Sequence, residues 1–67
     1  MKYKVGDKVL IYDNRLLYHL QIGEIVEIRD SDIYPCIIRL KEDYITHCYK
    51  FEEIIPCNEL TEVLYEV

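Results

Sequence analysis

Thiol and imidazole groups are the side chains of this 67-residue chain that would do chemistry if they met: Cys36, Cys48 and Cys57 with His19 and His47. Cys36, His47, Cys48 and Cys57 are zinc ligands in principle, but neither C-x-x-C nor H-x-x-x-H spacing is present. His47 and Cys48 are adjacent in a stretch that reads as strand. Their side chains should therefore point to opposite faces, which prevents both joint chelation and a Cys–His nucleophilic dyad. Nothing in the sequence brings His19 to a thiol. Ser31, the single serine, lies between Asp30 and Asp32 in an acidic turn. Carboxylates are plentiful, 13 in all, yet so short a chain has little interior from which to exclude water around a pair of them. The expectation is a chain with no catalytic residues, no metal and no cofactor.

The cysteine count points the same way. Three thiols are an odd number, and Met1 runs directly into KYKVGDKV with no apolar leader and no stretch long enough to span a membrane. That predicts a cytoplasmic chain whose thiols stay reduced and fill core and edge positions, with no disulfide framework and no membrane partner.

Binding chemistry is better represented. Seven tyrosines combine a broad apolar ring with a polar tip, suited to the rim of a small domain or to an interface. Tyr12, Tyr18, Tyr34 and Tyr44 could stack on bases while Arg15, Arg29 and Arg39 met phosphates. Against nucleic acid stand a sequence pI of about 4.8 and 13 acidic residues over eight basic ones, because phosphate contacts dominate such affinity. Nucleic acid is therefore the runner-up partner. Tyrosine and arginine also anchor protein interfaces, and Leu16-Leu17 would add apolar contact. The expected protein-binding surface is Arg15, Leu16, Leu17, Tyr18, Tyr34 and Tyr44, with several tyrosines serving only to cover the ends of the core. The same loop or an edge strand could support a homodimer.

Charge is unevenly spread. Residues 1–20 carry +2, whereas residues 51–67 carry five glutamates and no basic residue. Glu59, Glu62 and Glu66 form an acidic face, of which Glu62 and Glu66 are expected near Lys4 and Lys8 across neighbouring strands. The alternative is a face offered to a basic partner in place of phosphate.

The elements that must position these residues follow from periodicity. Ile22–Lys41, IGEIVEIRDSDIYPCIIRLK, reads as two strands joined at Asp30-Ser31-Asp32. Cys36, Ile38 and Leu40 alternate with Ile37, Arg39 and Lys41, and Pro35, lacking a donor, belongs at the strand's start. Before this hairpin, Gly6-Asp7 turns into a strand through Val9–Tyr12. Arg15–Gln21 fits a short helix or an arching loop, with Leu20 capping the core. After it, Tyr44–Ile55 reads as the fourth strand, interrupted at Pro56-Cys57-Asn58. The last segment, LTEVLYEV, alternates as a strand at Thr61, Val63, Tyr65 and Val67, yet Leu60, Val63, Leu64 and Val67 fit a helix face capped by Asn58. A fifth strand is expected, because it would close the edge of a four-stranded sheet. The expected fold is all-β, a small five-stranded barrel formed by residues 1–67 as a single domain.

Lys4-Val5-Gly6-Asp7-Lys8-Val9, Gly23-Glu24-Ile25-Val26-Glu27-Ile28, Tyr34-Pro35 and Asn58-Glu59-Leu60 follow one another as in SH3-like barrel domains of small bacterial and bacteriophage proteins. The chain resembles that group, and more distantly KOW-type and Mib/HERC-type modules. It departs from them in carrying Arg15–Leu20 where a Gly-rich loop is usual, and in lacking a basic loop. The resemblance implies a non-enzymatic interaction module. With the small size it suggests a phage-encoded accessory protein that binds and inhibits a host enzyme or defence factor, or alternatively a nucleic-acid-binding accessory domain.

Overall fold

The structure, a computed structural model, describes residues 3–65. Strands β1 (Lys8–Ile11), β2 (Ile22–Ile28), β3 (Cys36–Leu40) and β4 (Thr46–Tyr49) lead into a 3-10 turn (Phe51–Glu53), then β5 (Ile54–Pro56) and helix α1 (Glu59–Tyr65). The strands form one antiparallel sheet in the order β4-β3-β2-β1-β5. No ladder joins β4 to β5 among the described residues, so the hydrogen-bonded sheet is open rather than closed into a barrel.

The hairpin at its centre forms as its alternation dictates. Cys36, Ile38 and Leu40 are buried on one face of β3, and Arg39 is exposed on the other. Gly23 in β2 is required by close approach: a Cβ there would lie 2.5 Å from Ile38 Cγ2 and 3.0 Å from the Arg39 carbonyl oxygen. Between Ile25 and Glu27 the register shifts by one residue, a bulge that bends β2 over the core. The core consists of Val9, Ile11, Ile25, Cys36, Ile38, Leu40, Tyr49 and Ile54, with Tyr3, Leu16, Tyr18, Ile28 and Phe51 packed around it. Each fully buried aliphatic side chain of this kind contributes roughly 1.5–3 kcal/mol.

Leu10 is equally buried but points to the other face of β1, with Lys8 and Tyr12 on either side. Both of those flanking residues meet α1: Lys8 Nζ lies 3.1 Å from Glu62 Oε1, and the Tyr12 and Tyr65 rings are 5.1 Å apart. Leu10, whose cross-strand neighbours are Ile22 and Ile55, thus lies on the face of the sheet that α1 approaches. The sheet consequently has a main core on one face and a smaller apolar patch under α1 on the other.

Two sequence expectations are corrected. Tyr44–Ile55 is not one strand, because Glu53 folds back on Lys50. Its Oε1 accepts the Lys50 N–H at 2.8 Å, and its own N–H donates to the Lys50 carbonyl at 3.0 Å. β5 therefore starts only at Ile54 and pairs with β1, taking the closing place expected of the final segment. That final segment is helix over Glu59–Tyr65, not strand. Asn58 Oδ1 accepts the Thr61 N–H at 3.0 Å and Thr61 Oγ1 accepts the Asn58 N–H at 2.8 Å, a reciprocal cap that starts a helix. Val67 and Glu66 lie outside the described residues. Residues 12–21 form a loop of successive turns rather than a helix.

Candidate functional site

Antiparallel pairing puts the end of β1 and the start of β2 beside the end of β3 and the start of β4. Two connections emerge there, the long loop 12–21 and the tight turn 41–45. Asp13 organises the first. Its carboxylate accepts the Arg15 backbone N–H at 3.0 Å and the Arg15 Nε–H at 2.9 Å, and these Arg15 hydrogen bonds hold its pKa down to about 2. Leu16 N–H then donates to the Asp13 carbonyl, and Leu20 N–H to the Ile11 carbonyl, returning the loop to the sheet. Leu16 and Tyr18 turn inward onto the core, and the Tyr18 ring packs 4.8 Å from that of His47 on β4. Leu17, between them, is 89% exposed.

The second connection is a turn whose Tyr44 N–H donates to the Leu40 carbonyl at 3.0 Å and whose Asp43 carboxylate accepts the Ile45 N–H at 2.9 Å. Tyr44 sits at φ 59, in the left-handed region that a side chain with a Cβ adopts at a penalty. Its ring is nonetheless 78% exposed. Between loop and turn lies an open groove lined by Leu20, Gln21, Ile22, Lys41 and Glu42.

Of the six residues expected to bind a partner, five therefore gather at one end of the sheet: Arg15, Leu16, Leu17, Tyr18 and Tyr44. Only Arg15, Leu17 and Tyr44 present themselves to solvent; Leu16 and Tyr18 hold the loop in place. Tyr34 belongs to the β2–β3 connection at the opposite end of that hairpin, where Lys50 Nζ stands 5.5 Å from its ring centre. Lys41 and the exposed Ile45 complete the surface and were not singled out from the sequence. An available signal was the turn itself, which places tyrosine where glycine or asparagine is usual.

On the acidic face, Glu59 is exposed and Glu62 is engaged by Lys8, as expected of that pair although through a helix; Glu66 is outside the described residues. Chemistry-bearing side chains are dispersed. Cys36 is buried and Cys48 exposed, and among the described residues no three His, Cys, Asp or Glu side chains cluster as metal ligands. Likewise no polar or charged residue is buried there, and no helix is long and apolar enough to cross a membrane. Burial, with the nearby Asp30 charge, pushes the Cys36 thiol up to about 11, which makes it a poor nucleophile. In comparison with known proteins, no family model and no curated protein matches the chain.

Proposed function

We propose that this chain is a non-enzymatic protein-interaction module of SH3-like type that binds its partner through the end of the sheet carrying Arg15, Leu17 and Tyr44. The strand order β4-β3-β2-β1-β5, with a 3-10 turn before the last strand, supports the SH3-like reading. The observation that carries the binding reading is Tyr44. A large aromatic residue is held in left-handed backbone and turned to solvent, where glycine would satisfy the turn at lower strain. Such strain with no packing return is explained by a contact made outside the chain. Leu17, nearly fully exposed on the facing loop, adds apolar contact area beside that tyrosine. A stoichiometric binder of this kind acts by occluding a surface of its partner, in keeping with an accessory protein that inhibits an enzyme.

The test is a pair of variants, Leu17→Ala and Tyr44→Gly, in capture experiments from bacterial lysate run with and without nuclease. Both should lose, by at least tenfold, a protein that the unaltered chain retains after nuclease treatment, since central anchors are each worth about 2 kcal/mol or more. Tyr44→Gly should keep its stability within about 1 kcal/mol, because relief of the left-handed strain offsets the added chain entropy of glycine. Unchanged capture by both variants would remove the site. A second reading, single-stranded nucleic acid, is favoured by Arg39 and Lys41 beside Tyr44 in one groove; it requires capture that nuclease abolishes and added salt weakens steeply.

A further inference from the structure

Helix α1 is amphipathic the wrong way round for a helix that has only its own sheet to cover. Thr61, Glu62 and Tyr65 face the sheet and are partly buried. Leu60, Val63 and Leu64, at i, i+3 and i+4, form an apolar ridge on the opposite side, exposed by 67%, 76% and 63%. Exposed Glu59 flanks this ridge, and no basic residue occurs between Phe51 and Tyr65.

Beside α1, on the same face of the sheet, the outer surface of β2 and β3 is left uncovered. It forms a groove of about 270 Å³ lined by Lys8, Ile22, Glu24, Arg39, Lys41 and Tyr44, with Leu40 and Gly23 also contributing. It is an open groove rather than an enclosed cavity, a shape that suits side chains protruding from a partner surface. Three cations stand against the one carboxylate of Glu24, which lies opposite both Lys8 and Arg39 in the strand register. Lys8 is occupied by Glu62, and among the described residues Arg39 and Lys41 form no ion pair. An apolar ridge with an acidic flank and an apolar-floored groove with a basic wall are thus neighbours on one face of an acidic molecule.

We infer that the occupant of this groove is the α1 ridge of a second copy of the chain. A two-fold axis would lay two sheets face to face with the two helices side by side between them. Each helix would then present Thr61, Glu62 and Tyr65 to its own sheet, and Leu60, Val63 and Leu64 to its partner's β2–β3 groove. Two-sided use of α1 accounts for its exposed leucines, and Glu59 is placed to meet Arg39 and Lys41 across the interface. A standard interface covers about 800 Å² per partner, roughly a sixth of the 4752 Å² surface of this chain. Ridge and groove used together and reciprocally spread contact over the whole outer face, whereas ridge against ridge would cover the helices alone and set like charges together. This contact shares Tyr44, which lines the groove, with the proposed partner site, but leaves Leu17 and Arg15 outside it.

Sedimentation velocity over a concentration series tests the assignment. The unaltered chain should show a monomer–dimer equilibrium that weakens as salt is added. Val63→Lys, which sets a cation against the basic groove on an exposed helix position, should weaken dimerisation roughly tenfold or more. Glu59→Lys and Arg39→Glu should each weaken it, and the combined variant should regain affinity relative to either alone. Circular dichroism on the same samples confirms that each variant keeps its fold. A chain that stays monomeric at about 1 mM, or a dimer indifferent to Val63→Lys and to the charge exchange, would overturn the inference.

Discussion

Asp13, Cys36 and Cys48 show how single residues with ordinary chemistry are set apart by where the chain places them. Cys36 is buried and its thiol is raised to about 11, chiefly by burial, whereas Cys48 is exposed on β4 and Cys57 is partly buried with its thiol also raised. Alkylation at pH 8 should therefore modify Cys48 first and Cys36 only on unfolding, as peptide mapping over time would reveal. Early labelling of Cys36 would mean that the core opens locally. Asp13 behaves oppositely. Its carboxyl is held at about 2 by the Arg15 side-chain and backbone hydrogen bonds. A carboxylate whose folded pKa lies below its unfolded value of about 3.9 stabilises the fold fully above that value. The contribution is lost as pH falls from about 4 toward 2. A carboxyl carbon titration by NMR should place Asp13 well below the usual aspartate range, and Arg15→Ala should return it toward about 4.

At the scale of elements, α1 is held by local chemistry that its sequence only half declares. Seven residues are too few for a helix to persist by propensity, so its start must be fixed by the Asn58–Thr61 cap. Thr61 Oγ1 also donates to the Pro56 carbonyl at 3.0 Å, tying the helix to β5. Thr61→Ala should remove about 1 kcal/mol of stability and lower amide protection at residues 62–65 in hydrogen exchange while leaving β2 and β3 protected. The β2–β3 hairpin was legible in the sequence because β-branched residues, a turn of Asp30-Ser31-Asp32 and Pro35 all agree on one period. Residues 60–67 fit periods of 2 and 3.6 equally, and only the side chains at 58 and 61 break the tie. The β4–β5 break was hidden for a similar reason, since Glu53 returns to Lys50 inside an otherwise strand-like run. Loop 12–21 showed its apolar surplus openly. Which of Leu16, Leu17 and Tyr18 faces solvent depends on His47 in a distant strand, and no local pattern encodes that.

For the whole molecule, the question is what fastens α1 to the sheet, since the small apolar patch and the proposed dimer face both depend on it. Beside the Thr61–Pro56 hydrogen bond and the Tyr12–Tyr65 ring contact, two interactions at β1 compete for the role. The Lys8–Glu62 pair is direct, at 3.1 Å, but the Lys8 side chain is 52% exposed and that of Glu62 35%. Pairs so open to solvent contribute little and are screened by salt. Leu10 is fully buried between Lys8 and Tyr12, both of which meet α1. Truncating a buried leucine to alanine removes about 2–5 kcal/mol. A chain of this length commands only about 3–10 kcal/mol in total, at about 0.05–0.15 kcal/mol per residue, so burial of Leu10 outweighs the ion pair in holding this face together. Urea denaturation should then show Glu62→Gln lowering the midpoint slightly at low salt and negligibly at high salt. Leu10→Ala should lower it severely at both, and the unaltered chain should unfold in one transition because the two faces share β1. Equal losses from the two variants would instead assign the helix to its ion pair. A first transition confined to α1 would mean that the patch under the helix is not coupled to the main core.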